Sequence, residues 1–161
     1  MPDASADAGD GVSGAAAGTS DTVEIPMRGP SGRRVHLRDL LHHVPGDRWA
    51  WHLLEFTGTG RMPGGRPVPE VEEAALASPT GLPFDRPALR EFADGVEQTW
   101  DLVLIALPEG AGPDPVAVAA MDLSGSLFVI EALDSTKWRV TDRGTAPSRA
   151  LAALRAFRDR D

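Results

Sequence analysis

Residues 48–57 (RWAWHLLEFT) constrain the fold more than any other segment of this 161-residue chain. In an extended strand successive side chains point to opposite faces, so Trp49, Trp51 and Leu53 share one face and Ala50, His52, Leu54 and Phe56 the other. Both faces are largely apolar. A strand of this kind has to be covered on both sides, which predicts a central position in a sheet.

The remaining elements follow from local signals. Val23 and Ile25 alternate within residues 22–27, a short strand in which Pro26 marks an edge or an end. Gly29, Pro30, Ser31 and Gly32 read as a turn. Val35, Leu37, Leu40, Leu41 and Val44 are read as beginning in a strand and passing into one or two helical turns before Pro45-Gly46, the boundary between the two left open by the sequence. Residues 58–69 form a Gly/Pro loop, and the early glutamates of 69–78 favour a helix start. A second helix has Asp85 as N-cap, Pro87 in its first turn and Phe84 paired with Leu89 as a hydrophobic staple. Leu89, Phe92, Ala93, Val96 and Trp100 continue it as an apolar stripe. Strands at 101–107, 116–123, 126–133 and 137–141 form a meander, and 147–158 is an amphipathic helix. Strands and helices are grouped, not alternating. The expected class is therefore α+β, a mostly antiparallel sheet with a meander in its C-terminal half, packed by two or three helices. Residues 1–21 are nearly all Ala, Gly, Ser, Asp and Thr and predict a disordered tail, leaving 22–161 as a single domain.

Charge is distributed unevenly. The chain carries a net −8, but residues 1–22 hold −4, residues 23–66 hold +3, residues 67–134 hold −11 and the last 27 residues hold +4. The acidic middle opposes Arg86 and Arg90 alone against thirteen acids. A balance of this sign argues against nucleic-acid binding, which requires basic residues to neutralise phosphates. It suits a basic protein partner, with Glu91, Asp94 and Glu97 as the residues expected to steer it; as a solvated face, the same acids would only keep the chain soluble.

Cysteine is absent, which removes disulfides, thiolate metal sites and a cysteine nucleophile. No run approaches the roughly 18 apolar residues of a membrane span, and no basic region precedes an apolar N-terminal segment, so a cytoplasmic protein without a membrane partner is expected. The glycines of residues 58–65 lack the spacing of a dinucleotide or phosphate loop. His36, Asp39, His42 and His43 offer too few ligands for a closed metal site, so neither metal nor cofactor is expected. Gly-x-Ser-x-Gly does not occur, and Ser124-Gly125-Ser126 reads as a turn. Asp122, Glu131 and Asp134 fall in neighbouring expected strands, where their alternation with apolar residues suggests a polar outer face. Trp51 and Trp100 fit core stripes. Trp49 and Trp138 sit at strand starts beside Arg48 and Lys137, where an exposed ring is a candidate interface anchor.

Taken together, residues 49–56, 70–76, 85–100 and 128–138 resemble small bacterial immunity proteins of polymorphic toxin systems. That resemblance implies a cytoplasmic protein that neutralises a toxin by binding it, and it transfers no individual residue. The competing expectation is a small enzyme or ligand-binding protein with a pocket between the sheet and the helix at 86–98.

Overall fold

The computed structural model describes residues 20–144 and 148–160. Within them the fold is α+β, built on one antiparallel sheet. The strands are β1 (Asp21–Pro26), β2 (Ala50–Gly60), β3 (Leu82–Phe84), β4 (Val96–Leu107), β5 (Phe128–Leu133) and β6 (Lys137–Asp142), in the spatial order β1-β6-β5-β4-β2-β3. The helices are α1 (Leu37–His43), α2 (Val68–Ala77), α3 (Arg86–Gly95), α4 (Pro115–Ala119) and α5 (Arg149–Arg158). The tail expected over 1–21 lies outside the described residues except at its end, where Asp21 opens β1 and pairs with Arg155 of α5.

The two apolar faces of β2 are both covered. One face of the sheet carries Val23, Ile25, Trp51, Leu53, Phe56, Leu102, Leu104, Ile130, Trp138 and Val140 in one continuous core with Leu40 of α1, Val71 of α2, Phe92 of α3 and Leu151 of α5. The other face buries Leu54, Val103, Ile105, Leu107 and Val129 against Ala111, Val118 and Leu123 of the connection that contains α4. Phe56 was expected on the second face and lies on the first. A register shift between Leu53 and Glu55 against β4 inserts one extra residue, and a bulge of this kind reverses the alternation beyond it.

Three further expectations are corrected. Residues 116–123 do not extend as a strand. The Asp114 carboxylate accepts the Val116 N–H at 3.0 Å and Pro115 fills the first helical position, so the segment starts as α4 and then turns through Met121 at φ 52°. The loop expected at 58–69 starts late, because β2 runs on to Gly60. The helix expected to carry Val96 and Trp100 ends at Gly95, and β4 begins at the next residue. The cause is a backbone crossing: the Arg61 N–H donates to the Gly95 carbonyl at 2.8 Å, and any Cβ on Gly95 would fall on the Arg61 carbonyl. Trp100 accordingly lies in β4 and is 39% exposed, outside the core.

Other local readings hold. The Asp85 carboxylate accepts the Ala88 N–H at 2.8 Å and caps α3, and the Ser148 hydroxyl accepts the Leu151 N–H and caps α5. The β5–β6 hairpin closes through Asp134 and Ser135, both at positive φ, a turn whose twist matches that of the strands it joins.

Candidate functional site: an arginine-lined groove

The helices α3, α1 and α5 lie side by side on the larger core face, α1 touching both neighbours. Each presents its end to the same place. α1 brings Arg38 from its first turn and His42 and His43 from its last, α3 brings Arg86, Arg90 and Asp94, the start of α5 brings Arg149, and Asp47 stands on the loop after α1. Between them is a groove of about 810 Å³, floored by Leu41, Val44, Ala93 and Ala150. That volume falls in the range of sites that receive a small molecule or a peptide side-chain cluster, roughly 300–1,000 Å³. Four guanidiniums against two carboxylates make it positive in a chain of net −8.

Arg86 is the structural centre of the groove. Its side chain is only 6% exposed although it opens a helix. One terminal nitrogen, Nη2, donates to the Leu41 carbonyl at 2.7 Å and to the Val44 carbonyl at 2.8 Å, so it closes the carbonyl end of α1. The guanidinium carbon lies 5.7 Å from the centre of the Trp51 ring, within cation–π range. Nε and Nη1 are buried and have no hydrogen-bond partner among the described residues. The Asp47 carboxylate, 80% exposed, stands 3.7 Å from Arg86 Nε and 3.6 Å from Arg90 Nη2. Burial, and then the Arg90 charge, pull the Arg86 pKa below the ordinary guanidinium value, partly offset by Asp47. A guanidinium nonetheless keeps its proton.

On the groove's rim, burial and the neighbouring His42 and Arg160 push the His43 pKa down, so His43 is neutral near pH 7. Its ring meets His42 edge-on at 5.3 Å and Phe157 at 5.3 Å. His36 and Asp39 are used locally: the His36 backbone N–H donates to Asp39 Oδ2 at 2.8 Å, closing the start of α1. Among the described residues no group of three or more His, Cys, Asp or Glu is placed to hold a metal ion.

The binding residues expected from sequence are dispersed. Glu91 and Asp94 are exposed on α3 and Glu97 is exposed on β4, with Asp94 reaching the groove edge. Trp49 is partly buried, packed on Trp51 and stacked on Phe128 at 5.6 Å. Trp138, expected as an exposed anchor, is 1% exposed, and its indole N–H donates to the Val35 carbonyl at 3.0 Å. The reason is register: Trp138 pairs with Ile25 of β1 and Ala132 of β5, on the face that the helices cover. Asp122, Glu131 and Asp134 do not meet. Asp122 accepts the Ser124 N–H, Glu131 lies 3.9 Å from Arg139, and Asp134 is in the hairpin turn.

The groove itself was not read from the sequence, because Arg38, Arg86 and Arg149 are brought together only by tertiary packing. One local signal was present: Arg86 and Arg90, the only bases among thirteen acids, stand four apart and thus on one side of a helix. No family model, curated protein or solved structure matches this chain.

Proposed function

We propose that this protein is a non-enzymatic module that binds a partner protein through the arginine-lined groove, the partner supplying acidic side chains. The observation that carries this reading is the convergence of Arg38, Arg86, Arg90 and Arg149 on one concavity of about 810 Å³. Arginine is over-represented among the residues that anchor interfaces, since its planar donors match carboxylates and its stem packs on apolar surface. The groove supplies both, with guanidiniums on its rim and Leu41, Val44, Ala93 and Ala150 below. The resemblance to immunity proteins makes a toxin the class of partner, bound and neutralised in the cytoplasm.

A second reading places the contact on the exposed acids Glu91, Asp94 and Glu97, with a basic partner. The two readings call for opposite charges on the partner, and they share only Asp94 at the groove edge. Complex formation with the protein encoded beside this one, followed by titration calorimetry, separates them. Reversing Arg90 and Arg149 to Glu is expected to weaken the complex about a hundredfold, as loss of two anchors of roughly 1–2 kcal/mol each requires. Reversing Glu91 and Glu97 is expected to change it less than threefold. The opposite ranking would replace the groove by the acidic face.

A further inference from the structure

We infer that Arg86 and Arg90 form an oxyanion seat in the groove, now held by the chain's own Asp47 carboxylate, and that the seat takes a side-chain carboxylate of the partner. The inference rests on the groove being the contact face and names the chemistry at its centre.

Three observations meet at this spot. Arg86 is more than nine-tenths buried, yet two of its nitrogens, Nε and Nη1, lack hydrogen-bond partners among the described residues. Buried polar groups are nearly always paired, and an unpaired one is costly, so the unsatisfied Nε–H, which Asp47 faces, marks a place where an acceptor belongs. The second observation is Asp47. Its carboxylate bridges Arg86 and Arg90 at 3.7 and 3.6 Å, beyond the 2.7–2.9 Å typical of charge-assisted hydrogen bonds. An exposed side chain at that distance supplies charge without supplying the acceptor geometry. The third is the surrounding charge: Arg38 and Arg149 line the same groove, and neither has a carboxylate partner among the described residues. A carboxylate arriving from outside would replace Asp47 and move closer to Arg86 Nε. It would bridge Arg86 Nε and the Arg90 guanidinium, since Arg86 Nη2 already donates to the Leu41 and Val44 carbonyls. Phosphate shares part of this chemistry. The seat is assigned to a carboxylate because Asp47 and Asp94 stand at its edge, and a dianion would meet more repulsion there than a monoanion.

The test uses the full chain labelled with ¹⁵N and follows the Arg86 Nε–H resonance during titration with butyrate, whose single carboxylate matches a glutamate side chain, at constant ionic strength. A saturable shift is expected. Asp47→Asn removes the internal competitor and is expected to tighten butyrate about fivefold, the size of effect an exposed charge pair exerts. Arg90→Gln, at an exposed position that does not endanger folding, is expected to abolish saturation. A parallel titration with inorganic phosphate distinguishes the two oxyanions: saturation by phosphate without saturation by butyrate, or at a lower concentration, would overturn the carboxylate assignment. A shift unchanged by both substitutions, or no saturable shift at all, would overturn the seat. Butyrate binding that follows the expected pattern supports the seat even where the partner complex survives reversal of Arg90 and Arg149. The seat and the proposed function therefore fail separately.

Discussion

At the scale of single residues, Arg86 shows how a side chain that reads as surface can become structural. It occupies the first turn of a capped helix, a position that is usually wet, and packing of α3 against α1 buries it. Its Nη2 satisfies two carbonyls at the end of α1, so removing it leaves Leu41 and Val44 oxygens unpaired. Arg86→Met keeps most of the volume and is expected to lower stability by about 2–3 kcal/mol, the usual cost of unpairing buried acceptors that faced a charge, as read from denaturant unfolding. Lysine would not fully restore it, because an ammonium placed at the two carbonyls leaves no donor at the Nε position that faces Asp47.

The histidines give a second residue-scale outcome. Burial pushes the pKa of His36, His43 and His52 down, so each prefers its neutral form in the folded chain. The unfolded chain then binds more protons than the folded one as pH falls through the ordinary histidine value of about 6.5, and stability falls with it. Asp21 and Glu24 have pKa values lowered by Arg155 and by Lys137 with Arg139. Their contribution disappears only below the ordinary carboxylate range, so it does not overlap the histidine window. Melting temperature is therefore expected to drop between pH 7.5 and 5.5. The drop should shrink in His52→Gln, because the His52 ring must otherwise charge while partly buried, a cost its contact with the Thr80 carbonyl only partly offsets. An unchanged drop would assign the effect to the other two rings.

At the scale of elements, what the sequence revealed and what it concealed divide along a physical line. The start of α3 was legible because Asp85, Pro87 and the Phe84–Leu89 pair act within one turn, and the covered strand β2 was legible because period-two alternation is local. The end of α3 was not. Its apolar stripe continues through Val96 to Trp100 at helical spacing, and only the approach of Arg61 to Gly95, thirty-four residues away, stops it. The bulge after Leu53 and the three-residue β3 were hidden for the same reason, since both are defined by partners in other strands. The exposed Val116 and Met121 show the converse error: an apolar run read as a strand becomes a short helix once its capping residue Asp114 is counted. Gly95 supplies the test at this scale. Glycine to alanine near a helix end ordinarily stabilises by up to about 1 kcal/mol. Here Gly95→Ala is expected to destabilise by about 2–3 kcal/mol, because the new methyl meets backbone that cannot rotate away, an overpacking cost. Equilibrium unfolding decides the sign.

At the scale of the whole molecule, the charge segments of the sequence become faces. Acids on α2, α3 and the start of β4, among them Glu70, Glu73, Glu91 and Glu97, are exposed, while a groove gathers arginines from 38 to 149. The net charge of −8 therefore conceals the sign of this groove. Composition led to a basic partner, whereas the groove calls for an acidic one; a sum over the sequence carries no information about which charges topology brings together. Electrostatic steering acts through the local field more than through the total, so association with the partner should slow as salt rises despite the protein's overall acidity.

The central claim is that the groove, not the acidic face, is where the partner sits, and hydrogen–deuterium exchange of the chain with and without that partner addresses it most directly. Bound partner is predicted to slow exchange at the end of α1 and the loop through Asp47, at the first turns of α3 and at the start of α5, while the exposed surface of α2 and the amides around Glu97 exchange as before. Protection confined to α2 and the Glu91–Glu97 region, with the α1 end and Asp47 unchanged, would contradict it.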